Sequence, residues 1–561
     1  MSSSSFTSPP LPAKKLESAK YFAACYAGEH VAGTEFVIGA LFVTWGVGMT
    51  DILLGLIFGN LLAVLTWATI TAPIATQTRL TMFAYLEKIA GFKVVQVYSA
   101  LCAFLFCIGA GSMITVSASA IKILFNLPSQ VNWYPEDIRF VAVVVVVGLV
   151  ITGIAIGGFK RVARFAEVCA PWMILMFIVG AFAIIPTLLS DSPATASMGF
   201  WDTLSYVGNA KIWTETEAGL TFWHVMIFAW VCNLVMHGGM SDMTLFRFAK
   251  KPVYGYFSAL GMFIGHFVAW ICAGMMGAAA AIILNSDITK LDAGDVAYQV
   301  LGLSGIIAVV IAGWTTSNPT IYRAGIALQS LLPNKNRRTS TLLVGMATTI
   351  IACFPFVFTM LADVVSWTAL ILCPLGGVII AEHILLPKLG MTRYWSNFKK
   401  NKVNPAACLT WISAMILGGV LSALNVHNFF LPLIAWLASV LIYCVFAYAL
   451  GARKAYPVET AEELKAFRER REQEATYFSH VHSVHSSTPK RLSSFQITAY
   501  VSLFVCLLLS ILTATDSISL SQFKHWLIYP TLIYFVTATY WLIKQKSVHI
   551  EATSEPAATN N

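Results

Sequence analysis

Residues Cys25–Phe36 read CYAGEHVAGTEF, and they stand near the start of an otherwise apolar run long enough to span a bilayer. The stretch holds two carboxylates, a histidine and two glycines. A charged side chain at a bilayer centre costs about 2.5–3.5 kcal/mol even on insertion scales, so these groups point to an enclosed polar site. A second stretch of the same kind, MHGGMSD (Met236–Asp242), interrupts the sixth apolar run. Unwound, glycine-marked helices at matching places in two halves free backbone carbonyls and half-helix ends for ions and polar substrates. Small residues also serve plain helix packing. A matched pair carrying Glu, His and Asp is read here as the site of an inverted-repeat transporter, ten spans in two halves of five.

The rest of the chain fits that frame. Of its 561 residues 57% are hydrophobic and only 11% charged, with mean hydropathy +0.73. Soluble domains carry roughly 25% charge, so this is an all-α polytopic membrane protein whose first partner is the lipid bilayer. Apolar windows give about fourteen spans by length. The expected organisation is a disordered cytoplasmic tail (1–20), an inverted-repeat core (21–385), two further spans (386–451), a cytoplasmic linker (452–495), an added pair of spans (496–545) and a cytoplasmic tail (546–561). Clusters such as Arg79/Lys88/Lys93, Arg247/Lys250/Lys251 and Lys335/Arg337/Arg338 follow even-numbered spans, which puts both termini in the cytoplasm of a cell membrane, inner or plasma.

The net charge of +9 is accounted for by such loops and calls for no nucleic acid. The eleven cysteines, scattered through apolar runs, are read as small helix residues, neither disulfides nor zinc ligands. HVHSVH (His480–His485) is read as a flexible polar tract, with metal binding as the alternative. The linker stretch ETAEELKAFRERREQEA is expected as a short, solvated, charge-paired helix. No HExxH, GxSxG or DxD-type phosphate site is present, so the chain is not read as an enzyme, and no resident cofactor is expected.

Four motifs carry a family resemblance. GVGMTDILLGLIFGNLLAVL (Gly46–Leu65), MTLFRFAKKP (Met243–Pro252), WTTSNPTIYRAGIALQSL (Trp314–Leu331) and PLGGVIIAEH (Pro374–His383) resemble the second span, the loop after the sixth, the eighth span and the end of the tenth span of the nucleobase:cation symporter family that includes cytosine permease. The resemblance implies the five-plus-five leucine-transporter-like fold. It also implies a substrate of the cytosine, purine, uracil, hydantoin or allantoin class, and coupling to Na+ or H+. A non-transporting sensor using the same pocket is the alternative; the oligomeric state stays open.

The resemblance also assigns residues. Thr315 and Thr316 match the family's sodium ligands in the eighth span, with Ala312 contributing its backbone carbonyl. Glu29 falls where relatives place a small residue whose carbonyl faces the cation, so this chain adds a carboxylate. That carboxylate can carry a proton, ligate sodium, or pair with His30 or Lys20. Glu35, further along the first span, can accept hydrogen bonds from the N–H groups of a base. The family stacks its base between aromatics of the third and sixth spans; the candidates are Phe106 or Phe104 and Trp230 or Phe228. His237, Asn233, Ser317 and Asn318 offer polar edges to the substrate. Asp242 is expected to pair with Arg247 at an inner gate.

Overall fold

The structure is a computed structural model that describes residues 9–190, 198–332, 334, 336–484 and 493–554. Ten described helices are long and apolar enough to cross a membrane. Four further elements fall outside that measure of length and composition. Two are the interrupted spans; the third, Leu303–Leu331, is made polar by its Trp-Thr-Thr-Ser-Asn-Pro run; the fourth, Arg337–Ala352, has only 16 residues.

The first span is two half-helices, α1 (Ala19–Glu29) and α2 (Thr34–Thr44). Behind them come α3 (Met49–Thr66), α4 (Phe92–Ile121), α5 (Ile138–Ala155) and α6 (Phe159–Ala183). The sixth span is again broken, into α7 (Phe222–Val231) and a single turn, α8 (Leu234–His237), followed by irregular backbone in which Met240 takes φ +66°. The seventh begins as a π-helix, Leu260–Val268, before α9 (Ala269–Leu284). Next are α10 (Leu303–Leu331), α11 (Arg337–Ala352) and α12 (Val357–Ile380).

Non-helical backbone is tolerable at membrane depth only where other groups satisfy it. At the sixth-span break, Thr71 Oγ1 donates to the His237 carbonyl at 2.7 Å and Trp436 Nε1 to the Gly238 carbonyl at 3.0 Å. The first break is wedged against the π-helix: a Cβ on Gly261 would lie 2.5 Å from His30 Nδ1, and one on Gly265 would collide with the His30 carbonyl. Long helix α10 packs along α4, α2 on α9, α1 on α6, and α7 on α3, which brings both breaks to the centre of the bundle.

Beyond the core lie α13 (Pro405–Ala423), α14 (Phe430–Leu450), α15 (Pro457–Val484), α16 (Ser494–Ala514) and α17 (Ile528–Ser554). The added pair packs on α6, where Tyr534 donates to the Val168 carbonyl at 2.8 Å. Two expectations are corrected. Residues 9–18 do not trail away: Leu11 and Leu16 are buried, and their segment is tied by Leu11 N–H to the Arg79 carbonyl at 3.0 Å and Glu17 N–H to the Phe248 carbonyl at 2.8 Å. Helix α15 is longer than expected and is docked, because Glu474 is buried against Arg79, with Nε–Oε1 at 2.8 Å and Nη2–Oε2 at 3.0 Å. The side chains of His480–His485 lie outside the described residues.

Candidate functional site

A cavity of about 140 Å³ opens where the two breaks face α4, α10 and α12. Its polar lining includes Glu29, His30, Glu35, Asn233, His266 and Thr316, and its apolar lining includes Phe106, Met236 and Val365. The volume is small beside the roughly 300–1,000 Å³ of drug-sized sites, which suits a small molecule.

One wall is an oxygen cluster. Helix α1 ends at Glu29, so the Glu29 carbonyl lacks a helical donor. It accepts instead from Thr316 Oγ1 at 2.7 Å, across the interface with α10. The same hydroxyl lies 3.1 Å from the Ala312 carbonyl, and Thr315 Oγ1 lies 3.0 Å from it. Two carbonyls and two hydroxyls, all neutral hard oxygens, thus converge between α1 and α10. That donor set fits an alkali cation, which takes oxygen ligands and needs several at once.

The Glu29 carboxylate points elsewhere. It pairs with Arg323, Nη1–Oε1 at 2.5 Å and Nη2–Oε2 at 3.1 Å, about 10 Å along α10 from Thr316 at 1.5 Å per residue. Arg323 also holds Asp242, through Nε at 3.0 Å and Nη2 at 2.6 Å to Oδ1. Asp242 Oδ2 accepts from Tyr26 at 2.5 Å and from Trp67 Nε1 at 2.8 Å. The three charged groups are at most 6% exposed and join the first, sixth and eighth spans below the cavity. Neither expected partner of Glu29 is used: Lys20 reaches Glu167 at 3.6 Å, and the His30 ring turns its Nδ1 to the Tyr26 carbonyl at 2.9 Å. Asp242 pairs with Arg323 in place of Arg247, whose Nε donates to the Thr244 carbonyl.

The opposite wall holds Glu35. Trp270 Nε1 donates to its Oε2, and its Oε1 stands 3.8 Å from His266 Nε2. Asn233 Nδ2 lies 3.3 Å from the same His266 nitrogen. Phe106 lines the cavity, whereas Phe104 is 59% exposed on the outer side of α4.

The remaining expected residues sit around the cavity without lining it. Trp230 lies toward Thr66 and Trp436, and Phe228 packs among Phe42, Trp45 and Phe429, so no sixth-span ring faces Phe106 across the cavity. His237 Nε2 is 3.1 Å from the Trp230 carbonyl, bracing the broken helix. Ser317 donates back to the Gly313 carbonyl at 2.7 Å, and Asn318 is fully buried. Arg323 and His266 carry much of the site's geometry and were absent from the expected set. A charged or ionisable residue within a span-length run is itself a functional signal, and both meet it.

No family model and no curated protein sequence matches the chain. Solved structures do. Mhp1, a nucleobase-cation-symport-1 family transporter, in a closed conformation with bromovinylhydantoin bound, aligns with a TM-score of 0.59 at 14% identity, over 79% of this chain and 96% of that one. Its inward-facing conformation aligns with a TM-score of 0.57 at 13% identity, over 79% and 93%. A substrate-bound, outward-open Na+-coupled sialic acid symporter gives 0.55 at 13% identity, over 78% and 91%. At such identities the likeness establishes the fold: this chain has the five-plus-five leucine-transporter-like architecture in an integral membrane protein.

Proposed function

We propose that the chain is a secondary active symporter that imports a nucleobase or related small nitrogenous heterocycle by alternating access, coupled to Na+ or H+. The observation that carries this reading is the convergence of the Glu29 and Ala312 carbonyls with the Thr316 hydroxyl beside the cavity where both broken spans meet. Broken helices at mid-membrane place substrate and ion sites at the repeat interface, and the oxygen cluster at the first break beside a cavity lined by both breaks supports that reading. The fold shared with Mhp1, solved with a hydantoin bound, supports the substrate class.

The Glu29–Arg323–Asp242 network lies on the side of the cavity toward Arg79, Arg247 and Lys88. The excess of basic residues there makes it the cytoplasmic side by the positive-inside rule. In the structure it ties the first, sixth and eighth spans together, and we assign it as the inner gate. Glu35, Asn233 and Phe106 are the substrate contacts, and Thr315 and Thr316 the sodium contacts. Protons are the other coupling ion that this reading admits.

Uptake of labelled cytosine, adenine, uracil and hydantoin into proteoliposomes, with imposed Na+ or H+ gradients, tests the proposal. Gradient-driven accumulation of one of them is the expected result. Binding without accumulation under either gradient identifies a sensor built on the same pocket and ends the symporter reading.

A further inference from the structure

Three walls of the cavity come together again at one short turn. Helix α2 lines the cavity with Glu35 and Ile38, the end of α7 with Cys232 and Asn233, and α12 with Leu361 and Val365. The cavity lies between these helices, so an opening toward the face opposite Arg79 and Lys88 has to part them. On that face the turn between α13 and α14, residues 427–430, reaches all three.

Phe429 is the wedge of this turn. Its ring lies 5.3 Å from Trp45, which ends α2, and 4.9 Å from Phe228 of α7, between centroids. Its neighbour Asn428 reaches the other way, where Nδ2 donates to Asp363 Oδ1 of α12 at 3.1 Å. His427 meets His224, in the first turn of α7, edge-on at 4.8 Å, and Phe430 stands 5.1 Å from the same His224 ring. The turn therefore staples α12 to both outer half-helices, and α12 cannot leave either one without breaking a contact made here.

The two imidazoles suit this role only while neutral. His224 Nδ1 accepts from the Thr221 N–H at 3.2 Å and lies 2.9 Å from Thr221 Oγ1, taking the place that Glu or Gln fills in a capping box. His427 Nδ1 accepts from the Phe429 N–H at 3.4 Å. A proton on either Nδ1 removes the acceptor and sets one N–H against another. On His224 it also places a cation at the positive end of the α7 dipole. With both rings charged, like charges face each other across the 4.8 Å contact. The other charged group beside the pair is Asp363, which favours charge on His427; burial outweighs it and holds the His427 imidazole below its ordinary value. Helices α7 and α14 carry no Asp, Glu, Lys or Arg, the acid of α2 is Glu35 at its cavity end, and Glu215, before α7, turns toward Gly48 while Glu217 is exposed.

Building on the alternating-access reading, we propose that residues 427–430 form an outer clasp on the cavity, and that acid on the outer face releases it through the His224–His427 pair. Each imidazole takes a proton from the outer solution at Nδ1, the caps at Thr221 and Phe429 are lost, and Phe429 withdraws from Trp45 and Phe228. The helices α2, α7 and α12 are then free to part. The neutral rings hold the clasp, so its hold is complete above the ordinary imidazole value of about 6.5 and fades as the pH falls below it. The clasp regulates access to the cavity and leaves the oxygen cluster at Thr316 untouched.

The test uses the full-length protein in detergent and two measurements that involve no substrate. Hydrogen exchange, corrected for its intrinsic dependence on pH, is expected to speed up at least fivefold across residues 222–231 and 424–430 between about pH 7.5 and about pH 5.5, with α4 and α10 unchanged. The second measurement is labelling of Cys232, which lines the cavity, by a water-soluble thiol reagent. The comparison is with the double variant His224→Gln and His427→Phe, which keeps the capping acceptor and the packed ring but cannot take up the protons. At about pH 5.5 the parent protein should label at least fivefold faster than the double variant, and at about pH 7.5 the two should match, so the thiol's own titration cancels. Exchange of 222–231 and 424–430 that ignores pH in the parent protein, or a double variant that keeps the parent's full response, overturns the clasp and leaves the transport reading standing. The pH series on the parent protein needs no variant, so poor folding of the double variant does not protect the proposal. Failure of every compound in the uptake screen takes down the heterocycle reading without moving either of these measurements.

Discussion

Arg323 holds both oxygens of the Glu29 carboxylate, Nη1–Oε1 at 2.5 Å and Nη2–Oε2 at 3.1 Å, while its Nη2 also lies 2.6 Å from Asp242. One guanidinium thus serves two carboxylates in a setting that water barely reaches. Removing either kind of member has unequal consequences. Glu29→Gln leaves one cation facing one anion, whereas Arg323→Gln leaves two buried carboxylates with no cation between them. Stripping the partner from a buried pair typically costs about 3–5 kcal/mol. Arg323→Gln is therefore expected to lower the unfolding temperature of the purified protein sharply, and Glu29→Gln only slightly. The double variant should recover only part of the loss, because Asp242 keeps its bonds from Tyr26 and Trp67 but has no cation. Equal effects of the two single changes would falsify the charge accounting.

The oxygen cluster leads to a separate expectation about sodium. Among the described residues, Thr316 is the one side chain that hydrogen-bonds to both the Glu29 and the Ala312 carbonyls, at 2.7 and 3.1 Å. Thr316→Ala deletes a ligand but retains both carbonyls. The half-saturating Na+ concentration for uptake should rise about tenfold, the equivalent of about 1.4 kcal/mol, with little change in unfolding temperature. Uptake that ignores Na+ in both the parent protein and the variant removes sodium from this site and leaves protons as the coupling ion.

How much of this was legible beforehand depends on the range of the interaction. The two breaks announced themselves locally, because Gly, Glu, His and Asp inside an apolar run contradict a simple lipid-facing helix. The assignment of Thr316, Ala312 and the Glu29 carbonyl to one cluster was implied by the family resemblance, and the structure brings those atoms together. The partner of the Glu29 carboxylate was hidden because Arg323 lies 294 residues away, and nothing local distinguishes it from nearer cations such as Lys20. The aromatics failed for a different reason. A helix like α7, apolar on every side, gives no periodic cue to its inner face, so Trp230 could not be told from a ring that lines the cavity. In α4, where Phe104 and Phe106 are two residues apart, only one could face inward.

Close backbone approach at the sixth-span break sets a packing limit. A Cβ on Gly376 of α12 would collide with the Gly238 carbonyl, the same carbonyl that Trp436 Nε1 holds at 3.0 Å. Gly376→Ala should push α12 away from the break and cost about 1–3 kcal/mol, the usual range for overpacking a tight contact. Gly419→Ala, on a surface of α13 with open space around the new methyl group, is the matched control and should be neutral. Thermal unfolding of the two variants side by side decides the matter, and equal stability would mean that the break yields without resistance.

The last expectation concerns α15, whose docking rests on few contacts. Arg79 is fully buried, and besides Glu474 it donates from Nη1 to the carbonyls of Ala249 at 2.5 Å and Arg247 at 3.2 Å, which ties α15 to the chain just after the sixth span. Lys88 adds a half-exposed pair to Glu463 at 2.7 Å, and Arg470 donates to the Gln77 carbonyl. Exposed pairs of that sort contribute about 0–1 kcal/mol, so the Arg79–Glu474 contact dominates. Glu474→Ala leaves a buried guanidinium with only neutral acceptors, and α15 should lift away from the bundle because its outer faces are already soluble. Hydrogen exchange across residues 457–479 is expected to speed up by at least tenfold in Glu474→Ala while exchange in α4 and α10 stays unchanged. Glu463→Ala should leave the exchange of α15 close to that of the parent protein. If instead α15 stays protected in Glu474→Ala, its hold on the bundle comes from apolar contacts, and the buried pair with Arg79 is a consequence of docking and not its cause.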